Sequence, residues 1–201
     1  MKTKKVLFAI IIMWRFQVLG QGTFSFVYDQ QSAIETTGGG QGAIIQSSQP
    51  IGQSITPSLS AVGFIRLQLA DPPPANGIGA TLDVVLHADS LSGPVLGTTD
   101  SVSLPDGFGV GARGFADFFF STPISVNPGT TYYFQPVIQS GDQWDLVGDA
   151  YQYGGGTAFV SGSPIPGRDF WFREGIVVPE PATWTFLLLG GSALYLRWRR
   201  R

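Results

Sequence analysis

Six stretches of this chain alternate apolar and polar residues with a period of two, and that pattern leaves few folds open. Phe24, Phe26 and Tyr28 alternate with Thr23, Ser25 and Val27, Ile65, Leu67 and Leu69 with Arg66 and Gln68, and Leu82, Val84 and Leu86 with Thr81, Asp83 and His87. Phe118 and Phe120 stand opposite Asp117 and Phe119, Tyr132 and Phe134 opposite Thr131, Tyr133 and Gln135, and Phe170 and Phe172 opposite Trp171 and Arg173. Successive side chains of a strand point to opposite faces, so a period of two with one apolar face marks a half-buried strand. Turn-forming clusters separate the runs: Asp71-Pro72-Pro73-Pro74-Ala75-Asn76-Gly77, Ser92-Gly93-Pro94, Pro105-Asp106-Gly107 and Asn127-Pro128-Gly129. Many short strands at such spacing predict an all-β fold over residues 23–176, an antiparallel β-sandwich of jelly-roll type. No helix-length segments alternate with the strands, which argues against a parallel α/β sheet. Phe24, Ile65, Leu67, Leu82, Val84, Phe118, Phe134 and Phe172 are the expected core.

The charges are segregated. Eight of the twelve basic residues lie in the two terminal segments. Between Gln21 and Val178 only Arg66, Arg113, Arg168 and Arg173 remain, against thirteen acids, for a formal charge of −9. Such a body does not bind nucleic acid, which needs a basic surface, and is not drawn to anionic lipid. The chain contains no cysteine, so disulfides, thiolate metal sites and cysteine nucleophiles are excluded.

The ends look like targeting segments. Lys2, Lys4 and Lys5 precede the nine-residue apolar run Val6 to Trp14, too short to span a bilayer but suited to a signal peptide over residues 1–22 that signal peptidase removes. The other end reads Pro179-Glu180-Pro181, then the apolar stretch Ala182 to Leu196, then a cluster with Arg197, Arg199, Arg200 and Arg201. As a helix that stretch is about 22 Å long, marginal against a hydrocarbon core of about 30 Å. Positive charge stays on the cytoplasmic side, so both termini lie inside and the middle outside, with the arginines retaining the C-terminal helix in the membrane.

These three elements, in fixed order at the C-terminus, resemble the PEP-CTERM sorting signal over residues 177–201. The resemblance implies recognition and removal of the tail by an exosortase, a membrane protease. It also implies an inner-membrane-tethered precursor and a final place at the cell surface or in an extracellular matrix rich in polysaccharide. The middle resembles the choice-of-anchor type β-sandwich domains of exported bacterial proteins. Gly52-Gln53-Ser54-Ile55-Thr56-Pro57-Ser58-Leu59, Gly93-Pro94-Val95-Leu96-Gly97, Asn127-Pro128-Gly129-Thr130-Thr131-Tyr132 and Trp171-Phe172-Arg173-Glu174-Gly175 carry that resemblance. It implies a carbohydrate-binding-module-like sandwich and supplies no catalytic residues.

The residues themselves point to little chemistry. His87 is the only histidine, so a multi-histidine zinc site is excluded. Asp83 and Asp89 share its strand face, and the expected setting is a solvated face. No Gly-x-Ser-x-Gly elbow accompanies it. Asp142, Asp145 and Asp149 are the candidates for a glycoside-cleaving carboxylate pair, and the same three do not match an EF-hand loop. An irregular calcium site of carboxylates and backbone carbonyls is the one metal option left, and no cofactor is expected. Trp144, Tyr151 and Tyr153 lie among Asp142, Gln143, Asp145 and Gln152, the mixture of flat rings and hydrogen-bonding groups that suits a sugar; the alternative is that Trp144 and Tyr153 are core residues at sheet edges. The sequence thus predicts a non-catalytic, exported surface protein with a weak glycan contact at Trp144, Tyr151 and Tyr153. The alternatives are a purely structural role for the sandwich and, last, a glycosidase.

Overall fold

The computed structural model describes residues 24–37, 39–72 and 76–179. Two antiparallel seven-stranded sheets account for most of them. Sheet A holds β1 (Phe24–Gln31), β2 (Gln41–Ile44), β4 (Ala61–Ala70), β8 (Gly114–Ser125), β10 (Asp145–Asp149), β13 (Asp169–Phe170) and β14 (Phe172–Pro179). Sheet B holds β3 (Gly52–Ile55), β5 (Ala80–Ala88), β6 (Val95–Thr98), β7 (Val102–Leu104), β9 (Tyr132–Gly141), β11 (Ala158–Val160) and β12 (Ser163–Ile165). The helical content among the described residues is two single 3-10 turns, Glu35–Thr37 and Gln46–Ser48. The all-β expectation is therefore met. The signal helix and the C-terminal apolar helix lie outside the described residues, as do Glu180, Pro181 and the four arginines. Among the described residues no helix is long and apolar enough to cross a membrane.

Two long pairings organise the sheets. In sheet A, β4 runs beside β8, with Leu67 opposite Ala116 and Ile65 opposite Phe118. A register shift between Val62 and Phe64 turns both Val62 and Ile65 into the core although they are three positions apart. In sheet B, β5 runs beside β9, with Leu86 opposite Phe134 and Val84 opposite Pro136. Ile65, Leu67, Leu82, Val84, Phe118, Phe134 and Phe172 are fully buried, as their alternation predicts. One apolar cluster draws on both sheets, and Phe134 of sheet B meets Phe172 of sheet A edge to face at 5.4 Å.

Phe24 is a correction. It is 67% exposed, not buried. β1 alternates as expected, but it is an edge strand paired with β14 alone, and its aromatic face lies on the outside of sheet A. There Phe26 and Tyr28 pack against Phe64 at 5.0 and 5.5 Å, and Phe26 lies 6.0 Å from Phe119. A period of two says that a strand has two faces, and only its neighbours decide which face turns inward.

Candidate functional site

The outer face of sheet B is where this fold gathers polar groups and half-buried rings. On β5, Leu82, Val84 and Leu86 point into the core, so Asp83, Val85 and His87 point out. On β9 the outward residues are Tyr133, Gln135 and Val137, set opposite His87, Val85 and Asp83 in that order. Tyr133 packs edge to face against Phe159 of β11 at 5.7 Å, and both rings are half-buried.

The polar groups on this face are held by specific partners. The Gln135 amide donates to Gln49 Oε1, and Gln49 Nε2 donates to the Pro136 carbonyl at 3.0 Å. Gln139 Nε2 donates to Asp83 Oδ2 at 2.8 Å. Burial raises the Asp83 carboxyl above its ordinary value, and the Gln139 amide opposes that shift. His87 Nδ1 lies 3.0 Å from the Gly93 carbonyl; a carbonyl only accepts, so Nδ1 carries the proton in that bond. The solvated face expected around His87 is corrected here. Asp83 and His87 are each 7% exposed, and Asp83 Oδ1 and His87 Nε2 are buried with no hydrogen-bond partner. Asp89 leaves this face, standing exposed in the turn after β5 with φ at +63°.

Of the three rings singled out in the sequence, Trp144 is buried and Tyr151 and Tyr153 are half-buried. Trp144 is 0% exposed and belongs to the core, 5.9 Å from the Phe108 ring, with its indole N–H on Asp142 Oδ1 at 3.1 Å. Tyr153 lies edge to face on Phe172 at 5.1 Å. Its hydroxyl accepts from the Thr56 N–H and donates to Gln30 Oε1, both at 3.1 Å, and burial pushes the phenol up to about 12. The Tyr151 hydroxyl donates to the Gly39 carbonyl. The segment that looked like a loop forms β10 and its flanks, which enclose Trp144 and tie both tyrosine hydroxyls to groups of the fold.

Asp142, Asp145 and Asp149 do not converge either. Asp145 and Asp149 lie at opposite ends of β10, the second paired with Arg168 at 3.7 Å, while Asp142 binds Trp144 and Asn76. The sheet B face was missed in the sequence because its members come from positions 49, 83, 87, 133, 135, 139 and 159. The one available signal was the polar half of the β5 and β9 alternation.

Among known families, the PEP-CTERM protein-sorting motif matches residues 177–201. No curated protein and no solved structure matches the chain. The chain thus carries, at its C-terminal end, the motif of exported proteins that are sorted through their C-terminus and processed by exosortase.

Proposed function

We propose that this is a non-catalytic exported protein whose β-sandwich body, displayed at the cell surface or in the extracellular matrix, holds neutral polysaccharide weakly on the outer face of sheet B. The observation that carries the reading is the composition of that face. An aromatic pair, Tyr133 and Phe159, shares that face with the fixed amides of Gln49, Gln135 and Gln139, the last held by the buried Asp83 carboxylate. A pyranose has an apolar face for ring contact and polar edges for hydrogen bonds, and pockets that orient neutral ligands combine these two elements. The acidic body disfavours anionic polymers. The non-catalytic reading is supported by His87, whose Nδ1 is tied to a backbone carbonyl and whose Nε2 is out of solvent.

Binding to an open face is weak, near the millimolar range or about −4 kcal/mol, so repeated contacts along a polymer supply the strength. Electrophoresis of the purified protein through gels containing neutral polysaccharides should show retardation. Tyr133→Ala and Gln135→Ala should each abolish most of it, with cooperative melting preserved. No retardation of wild type on any polysaccharide in a broad panel, or full retardation of both variants, makes the structural role the better reading.

The sorting tail leads to a separate expectation. Cleavage near Pro179-Glu180-Pro181 leaves a mature chain without Trp184 to Arg201. Intact-mass measurement of the protein from its own host should show that loss. Full-length, membrane-embedded protein as the sole stable form would make the tail a plain anchor.

A further inference from the structure

Three loops meet where β4 and β9 end and β5, β8 and β10 begin. Ala70 pairs with Asp145, Ala80 with Gly141 and Leu104, and Leu69 with Gly114. This brings Asp71, Asp106 and Asp142 to one end of the fold from positions far apart in the chain. Two of these carboxylates are held reciprocally. Asp71 Oδ2 accepts the Gly107 N–H at 2.8 Å, and Asp106 Oδ2 accepts the Gly77 N–H at 3.0 Å. Both glycines have positive φ, +75° and +81°, a region that only glycine enters at low cost.

That exchange uses one oxygen of each carboxylate. The other, Asp71 Oδ1 and Asp106 Oδ1, is buried and meets no N–H or hydroxyl donor, the two carboxyl groups lying within hydrogen-bond reach of each other, and Asp71 as a whole is 0% exposed. Asp142, whose charge acts on Asp71, is occupied on both oxygens, by the Trp144 indole N–H and the Asn76 amide. Among the described residues no cation pairs with these carboxylates. Arg66 and Arg173 pair with Glu35 and Asp117, Arg168 pairs with Asp149, and Arg113 donates to the Glu35 carbonyl. A buried carboxylate oxygen with no donor is costly, and two side by side are costlier.

We propose that Asp71 Oδ1 and Asp106 Oδ1 bind a hard divalent cation, calcium, with Asp142 adding its negative charge from beside the site. Among the described residues no three His, Cys, Asp or Glu side chains already form a metal-binding group, so backbone carbonyls and water complete the shell. Calcium accepts such irregular shells of six to eight oxygens, whereas magnesium demands near-octahedral geometry. The buried acid pair elsewhere in the fold, Glu174 with Asp29, differs in kind. There both Asp29 oxygens already accept from donors of the fold, the Ser58 and Leu59 N–H groups, the Ser58 hydroxyl and the Gln30 amide.

The test is thermal melting of the purified full-length chain in chelator, in 5 mM calcium chloride and in 5 mM magnesium chloride. Calcium at a Kd of about 0.1–1 mM should raise Tm by about 3–6 °C, and magnesium by less. Asp71→Asn and Asp106→Asn should each remove the calcium shift, while Asp145→Asn keeps it. If Asp71→Asn does not melt cooperatively, Asp106→Asn decides. The proposal is overturned if calcium leaves the wild type unmoved, or if Asp106→Asn retains the full shift. A wild type blind to calcium together with a more stable Asp71→Asn would show that the two aspartates share a proton instead.

Discussion

Replacing Trp144 by alanine should destabilise the body by about 3–5 kcal/mol and leave polysaccharide retention by the folded fraction unchanged. The size follows from burial: removing a fully enclosed indole forfeits its transfer free energy and leaves a cavity that the surrounding strands fill only in part. Trp144 has no exposed surface, and its ring lies against Phe108 within the core shared by both sheets. Its main chain is also tied, donating to Gln46 Oε1 at 3.2 Å and accepting from the Ile45 N–H at 2.8 Å. The variant further strips Asp142 Oδ1 of its indole donor. Trp144→Phe keeps most of the apolar volume and should cost distinctly less. Denaturant unfolding checks both values. A cost near zero for alanine, with retention lost, would put the ring back on the surface as a ligand contact.

Stability should fall as pH rises from about 4.5 to about 8, and Glu174→Gln should remove most of that dependence. Glu174 lies on the inward face of β14, is 0% exposed, and has no side-chain donor on either carboxylate oxygen. Burial is the main cause that pushes its carboxyl up to about 8; the Asp29 carboxylate adds to the shift, and the Gln30 N–H opposes it. Tyr153 and Asp169 stand nearby, the latter accepting the Tyr153 N–H at 2.9 Å and the Gln53 amide at 2.9 Å. A protonated Glu174 can donate its one O–H to Asp29.

The direction of the effect follows from proton binding. The folded state holds this proton more tightly than the unfolded chain, whose glutamates titrate near 4.5. The contribution is therefore complete below about 4.5, is lost through the window, and is gone above about 8. At about 1.4 kcal/mol per pH unit the window is worth at most roughly 5 kcal/mol. Asp29 acts outside it. Burial raises that carboxyl, but hydrogen bonds from Leu59, Ser58 and Gln30 outweigh burial and hold it below 3.8, so its contribution is lost only in stronger acid. Asp71, Asp83, Asp117 and Asp145 are also raised, so the informative quantity is the difference between wild type and Glu174→Gln at each pH. Parallel curves for the two proteins between pH 4.5 and 8 would refute the assignment.

Much of this protein was legible in its residues because the signals are local. The alternation at 65–69, 82–86 and 118–120 identified strands and their buried sides, since side-chain direction in a strand depends only on position parity. The segregated charge and the ordered tail at 177–201 needed no fold at all. The polar sites were not legible, because they depend on which distant strands become neighbours. Gln49 meets Gln135 across 86 positions, Asp71 meets Gly107 across 36, and Tyr153 meets Gln30 across 123. Tertiary packing also overruled two local readings. Phe24 shares the parity of a core strand but sits on an edge with its ring outward. Trp144, among glycines and acids, looked like an exposed loop ring. The antiparallel pairing of β10 with β2 and β4 instead draws the Asp142–Asp145 turn under the sheet, and the largest apolar side chain in reach fills the core there. Sequence by itself determined the strands whose residues alternate cleanly and carries the sorting motif at residues 177–201. Only the tertiary structure decided which faces close on each other, because burying apolar area is a property of pairs of strands that no single strand encodes.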